Sequence, residues 1–283
     1  MTAVQQRNAL RSWNSSNPGS EIIVFGAVEA GADVIAEVSA TYWPHIACNE
    51  LGTPLISAMF AEAQRIGRHS VLCYINGDII LMPDFRAAVA RLTKWRMFAA
   101  VGQRRDIDWN AEIDFARIDW IDGLRAEVDM RGKIHEALAI DFFVFRRGAV
   151  GTLPPFAIGR PAWDNFLIKH LLCRRVPIVD LSSAAAVVHQ NHNYTHIPQG
   201  KGLRWEGPEA DRNHALADQH FRAFKGKYYT IRNAQWIMLE RHVVPAITPS
   251  RLWWRLLAVV PDAIRHEVRR RIVLVGRWVK GRR

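Results

Sequence analysis

The sequence predicts an α/β fold with a mostly parallel central sheet, and three observations carry that expectation. From residue 21 to about residue 190, short apolar runs alternate with segments of helical apolar spacing, the pattern of strands joined by helical crossovers. Val71-Leu72-Cys73-Tyr74-Ile75 and Phe142-Phe143-Val144-Phe145 are apolar at consecutive positions, so both strand faces call for burial. Polar residues stand where such runs stop, and in open α/β sheets ligands bind beyond the carboxyl ends of strands.

Residues 4–14 read as a helix with Ala9, Leu10 and Trp13 on one face. The turn cluster Asn17-Pro18-Gly19-Ser20 leads into a short buried strand, Glu21 to Gly26, and residues 30–38 are weakly helical. After Thr53-Pro54, a helix start, Leu55, Ile56, Met59, Phe60, Ala63 and Ile66 recur at helical spacing. Val71 to Met82 is an apolar stretch interrupted only by Asn76-Gly77-Asp78; Pro83-Asp84 then opens a helix with Phe85, Ala88, Val89 and Leu92 on one face. Met97 to Val101 reads as a strand, residues 103–135 as an irregular polar excursion, and Ala139 to Phe145 as a strand. A Gly/Pro-rich loop, Gly151 to Pro161, feeds a helix that buries Trp163, Phe166, Leu167 and Leu171. Strands follow at Val176 to Leu181 and Ala184 to Val188, and residues 208–242 read as helical in two pieces. The expected division is a main domain over 1–205, a helical C-terminal extension over 206–250 and a basic amphipathic tail over 251–283.

The chain has 283 residues, 49% of them hydrophobic, enough for a full core. Its net charge of +11 is a local device. Residues 251–283 hold ten Arg or Lys against Asp262 and Glu267, while the other 250 residues carry 28 basic and 25 acidic groups. That confinement argues against a nucleic-acid-binding protein. In the tail, Ile264, Val268, Ile272, Val275 and Val279 form one helical stripe flanked by Arg265, Arg269, Arg270 and Arg277, with Trp253 and Trp254 upstream. A basic amphipathic helix with boundary Trp suits an anionic membrane surface. Cys48, Cys73 and Cys173 form no CxxC pair, which argues for a reducing compartment and against a thiolate zinc site. Met1 to Trp13 lacks the apolar core of a signal peptide, and no uncharged apolar run is long enough to span a bilayer. The expected location is the cytoplasm, at the inner face of the plasma membrane.

Three polar places stand at strand ends or a helix start. Asn76-Gly77-Asp78 has two readings of equal standing: a type I′ hairpin turn, or a carboxylate delivered to a cleft. Asp164, in Ala162-Trp163-Asp164-Asn165, reads most simply as a first-turn residue stabilised by the helix dipole; the functional reading is a general base. His189, His192 and His196 follow in His-x-x-His-x-x-x-His beside a strand end, a spacing open to a metal or phosphate contact. Arg7, Arg104 and Arg105 are candidate phosphate contacts.

Taken in order, Gln6 to Trp13, Glu21 to Gly26, Asn49-Glu50-x-Gly52-Thr53-Pro54, Tyr74 to Ile80, Asp141 to Phe145, Trp163-Asp164-Asn165 and His189-Gln190-Asn191-His192-x-Tyr194 resemble a group of glycosyltransferase-like proteins of the nucleotide-diphospho-sugar transferase (GT-A) type. The resemblance covers roughly residues 5–200. It implies a three-layer sandwich and a hexosyltransferase-like enzyme, inverting, that moves a sugar from a nucleoside-diphosphate sugar to an acceptor hydroxyl; the membrane-suited tail points to an envelope or lipid-linked acceptor. In that frame Asn76-Gly77-Asp78 takes the place of the Asp-x-Asp motif, and Arg7, Asn76 and Asp78 bind the donor diphosphate. Asp78, His189 and His192 hold Mn²⁺ or Mg²⁺, Asp164 is the base, and Asp141, Trp163 and Asn165 line the acceptor side. Asn76 supplies a neutral ligand where the motif has a carboxylate. The resemblance also implies a buried strand ahead of the first helix, and residues 4–14 are the helix that would follow it, so the sheet is expected to lack that strand. The rival reading is a degenerate, non-catalytic sugar-nucleotide-binding protein tethered to the membrane surface.

Overall fold

The computed structural model describes residues 2–26, 28, 30–192, 205–221 and 229–252. His196 and the tail stripe with Trp253 and Trp254 lie outside the described residues.

Helix α1 (Ala3–Ser16) opens on a capping box in which Thr2 and Gln5 satisfy each other's backbone N–H groups. It is followed by β1 (Ile23–Phe25), α2 (Ala32–Glu37) and β2 (Thr41–Trp43), with β1 and β2 forming a two-stranded parallel sheet. Next come α3 (Ile56–Ile66), β3 (Val71–Ile75), β4 (Ile79–Leu81), α4 (Pro83–Leu92), β5 (Ala99–Val101) and β6 (Arg105–Ile107). The chain continues through α5 (Trp120–Arg131), β7 (Lys133–Ile134), β8 (Phe142–Arg146), α6 (Trp163–Cys173), β9 (Ile178–Asp180), β10 (Val187–Gln190), α7 (Pro208–His220), β11 (Trp236–Leu239) and β12 (His242–Pro245).

Among the described residues the main sheet has six strands in the order β12-β11-β9-β5-β8-β3, and a second sheet has four, β4-β10-β6-β7. The fold is therefore α/β, but its central sheet is mixed rather than mostly parallel: β5, β9 and β11 run parallel, while β8, between β5 and β3, is antiparallel to both. Apolar continuity is met by burial in β8 but only in part in β3, where Cys73 is exposed, and burial does not encode strand direction. Helices cover both faces. Phe143 and Phe145 pack with Ile56 and Phe60 of α3 and Trp163 to Leu171 of α6; Phe142 and Val144 pack with Phe85 and Leu92 of α4. Helix α5 covers the second sheet through Trp120, Leu124 and Val128.

Strands β3 and β4 do not form a hairpin. The first pairs with β8 and the second with β10, so Asn76-Gly77-Asp78 is the point where the chain leaves one sheet for the other. The outer edge of β4 is closed by α1: Ser16 Oγ donates to the Leu81 carbonyl, Leu81 N donates to Ser12 Oγ, and Trp13 Nε1 donates to the Ile79 carbonyl. No described strand pairs with the edge of β3 away from β8.

Two other expectations change. Residues 103–135 are no irregular excursion: they contain β6, α5 and β7, which polarity hid because β6 is only partly buried and β7 is exposed. Among the described residues of 208–242, α7 and a short 3-10 turn, Ile231–Asn233, are helical, while Trp236–Pro245 forms the hairpin β11-β12, which extends the main sheet. The described part of 206–250 is thus helical only in part and adds two sheet strands.

Candidate metal centre

The site lies where the two sheets meet. The end of β3 and the start of β8 bring Asn76 and Asp141 together, with Asn76 N donating to the Asp141 carbonyl at 2.9 Å. In the second sheet β10 is central: His189 pairs in register with Ile79 of β4 on one side and with Asp106 of β6 on the other. That register places the His189 imidazole between Asp78, which immediately precedes β4, and Asp106.

Asp78 Oδ2 lies 3.0 Å from His192 Nε2 and 3.3 Å from His189 Nε2. The three ligand atoms fall within 4.8 Å of one another, so Asp78, His189 and His192 form a possible metal-binding triad. The side chains are 13%, 6% and 6% exposed, reachable but largely dry. Asp78 Oδ1 is buried without a hydrogen-bond partner, a costly state for a carboxylate oxygen and one that a cation would relieve. One oxygen and two imidazole donors suit a divalent transition ion.

A second layer steadies the triad. His189 Nδ1 lies 3.1 Å from Asp106 Oδ1, and Asp106 also meets His135 Nδ1 at 2.5 Å and Arg104 Nε at 2.8 Å. Arg104 Nη1 reaches Asp141 Oδ2 at 2.5 Å. Asp141 Oδ1 accepts from Asn76 Nδ2 at 2.7 Å, and Asn76 Oδ1 accepts from the Tyr74 hydroxyl at 2.7 Å. Charge follows this wiring. Burial alone would raise the Asp78 carboxyl, but the hydrogen bonds from His189 and His192 outweigh it and hold Asp78 well below the usual range. Asp106 is likewise held low against its burial by His135, His189 and Arg104. For His189, burial works against the charge, and Asp106 and Asp78 together lift it to about 9.

Asp164 opens α6, and the preceding Ala162 has φ +81°, a conformation that L side chains rarely adopt, so the backbone is strained at the mouth of this helix. Its oxygens accept from Asn165 N at 2.9 Å and, weakly, from Ile140 N at 3.4 Å. Burial is the main cause that raises the Asp164 carboxyl to about 6, and the charge of Asp141 adds to it. Asp164 and the triad line the same cleft, of about 1550 Å³, which continues from the site into a gap between β1 and β3.

The other expected residues are distributed unevenly. Trp163 is a wall of the cleft, packed edge-on against Tyr74 with ring centroids 5.0 Å apart. Asp141 and Asn76 line the cleft, but their polar atoms are engaged with each other, Arg104 and Tyr74. Asn165 is buried, its amide donating to the carbonyls of Leu138 and Tyr229, which ties α6 to two loops. Arg7 points elsewhere: it donates to the Ala30 carbonyl and pairs with Asp33 at 3.1 Å. Arg104 sits inside the network, and Arg105 pairs with exposed Asp129. Sequence reasoning missed Asp106 and His135, which become visible only through the β10-β6 register.

Compared with protein-family models and with curated proteins, the sequence matches none. Fold and site define an α/β protein with mixed sheets and a possible Asp-His-His metal centre in a large cleft. Among the described residues no helix is long and apolar enough to cross a membrane.

Proposed function

We propose that the protein is a GT-A-like glycosyltransferase that moves a sugar from a nucleoside-diphosphate sugar to an acceptor hydroxyl, assisted by a divalent ion. The observation that carries this reading is the shared cleft: a possible metal triad with an orphaned carboxylate oxygen and a burial-raised carboxyl on an adjoining wall. Asp78, His189 and His192 hold the ion. Two imidazoles in three donors favour Mn²⁺ over Mg²⁺, which prefers an all-oxygen shell. A bound ion neutralises the diphosphate leaving group. Asp164, with its affinity for a proton raised toward neutrality, takes the acceptor proton, which fits inversion. Arg104 and Asp106 hold His189 in place, and Trp163 shapes the acceptor side.

The basic tail adds attachment to an anionic membrane surface from the cytoplasmic side, where lipid-linked or envelope acceptors are met. A second reading, a non-catalytic sugar-nucleotide-binding protein, rests on Asn76, whose amide is held by Tyr74 and Asp141 and is not offered to an ion. Calorimetry with a panel of nucleoside diphosphates, with and without Mn²⁺, joined to an assay of donor hydrolysis, separates the two. Mn²⁺-dependent binding with hydrolysis that Asp78→Ala abolishes is the expected result. Binding without hydrolysis leaves the second reading, and the absence of any nucleotide binding rejects both.

A further inference from the structure

Among the described residues no strand lies between β1 and β3, and the gap between them has the form of a strand position. Both strands turn an edge toward it. Arg147 N donates to the Ser70 carbonyl and Asn76 N to the Asp141 carbonyl, so the even-numbered residues of β3 bond to β8. By strand alternation the N–H and C=O groups of Val71, Cys73 and Ile75 face the gap. In β1 the Ile22 carbonyl and Gly26 N bond to β2, which turns the backbone groups of Ile23 and Phe25 to the same gap. The starts of the two strands are held together by a side chain, Glu21, which accepts from Arg68 N at 2.8 Å and pairs with its guanidinium.

The side chains around the gap are those of a strand bed. Leu72 and Tyr74 lean toward the cluster containing Phe60 of α3, while Val71 and Ile75 lean toward Trp13 and Phe85. A segment lying in the gap would bury alternate side chains against these two apolar faces. The present state leaves work undone: β3 is as apolar as β8, yet its residues are half-buried and Cys73 is exposed, whereas Phe142 to Phe145 are buried. The treatment of β4 differs, since α1 side chains close its edge.

The geometry points to this gap as a binding site for one extended, uncharged, β-branched peptide strand, laid between β1 and β3 and bonded to both. A hydrocarbon chain fits the apolar walls less well, because it leaves the five residues' backbone groups without partners in an apolar groove. The peptide's binding mode is strand addition, with main-chain bonds for affinity and alternating apolar pockets for selectivity.

Hydrogen exchange of the full chain tests this, with a synthetic peptide of alternating valine and isoleucine, matched to the five residues of β3 and flanked by lysines. The amides of Val71, Cys73 and Ile75 should exchange fast in the protein alone and slow by at least about tenfold with peptide, while those of β8 stay unchanged. A peptide of the same composition with a central proline should give no protection, because proline removes a ladder donor. Amides already slow without peptide, equal protection by the proline peptide, or no protection by either peptide would each overturn the proposal. A polyisoprenyl alcohol that slows the same amides would overturn it in favour of a lipid groove.

Discussion

At the scale of single residues, the carboxylates of the cleft have been driven apart by their surroundings. Asp78 and Asp106 are kept ionised by imidazole and guanidinium partners, whereas at Asp164 burial, aided by the charge of Asp141, favours the neutral form and outweighs the backbone donors that pull the other way. If Asp164 is the base, turnover should rise with pH and level off above about 6, as its carboxyl loses its proton. Asp164→Asn should lower kcat by about 10²–10⁴ and leave donor affinity unchanged, which steady-state kinetics and calorimetry would read separately. An effect on acceptor affinity alone would make Asp164 a binding residue. The same substitution has a stability signature. A carboxyl whose folded-state pKa is raised from about 4 to about 6 destabilises the fold progressively across that window as pH rises. Asp164→Asn should thus be more stable than the parent at pH 7.5, by roughly 1–2 kcal/mol, with the gap closing below pH 4 in thermal melts. Asp106→Asn leaves all three ligands in place and should weaken Mn²⁺ binding by about 10- to 100-fold through loss of His189 orientation. Unchanged calorimetric affinity would reduce the β6 carboxylate to a structural role.

At the scale of elements, the main strain is at the start of α6. Ala162 carries a positive φ so that Trp163 can enter the core and Asp164 the cleft within one turn. Ala162→Gly should relieve it and raise stability by about 1 kcal/mol, provided Asp164 keeps its bond to Asn165 N; an unchanged or lower melting temperature would refute the strain. This helix also shows what sequence pattern can report. Its buried side, Trp163, Phe166, Leu167 and Leu171, was readable from spacing, as were the faces of α3 and α4. Polar burial was not: Asn8 of α1 lies wholly inside, its amide bonded to the Gln190 side chain and the Ala111 carbonyl. Nothing local in the sequence distinguishes such a residue from a solvent-facing one.

At the scale of the whole molecule, the cleft joins an ordinary α/β ligand position, beyond the carboxyl end of β3, to a sheet edge left open beside it. The basic tail is a separate device. Removing residues 253–283 should abolish sedimentation with anionic vesicles at physiological ionic strength and leave nucleotide binding intact. Vesicle binding that survives the truncation would place the membrane-active surface elsewhere.

Asn76-Gly77-Asp78 shows where sequence and tertiary structure divide the information. The run of apolar residues around it announced buried strands, because burial follows from side-chain chemistry that every position carries with it. The polar triplet announced an interruption. Whether that interruption was a hairpin or a site depended on which strands β3 and β4 would pair with, and pairing partners lie 67 to 110 residues away along the chain. The choice of Asp78, His189 and His192 could be read from strand ends, whereas the Asp106 and His135 support came into being only with the β10-β6 register. Likewise, an apolar strand looks the same in sequence whether its sheet continues past it or stops. Backbone edges carry no side-chain signature, so only the assembled sheet shows that, among the described residues, β3 has no strand on the edge away from β8.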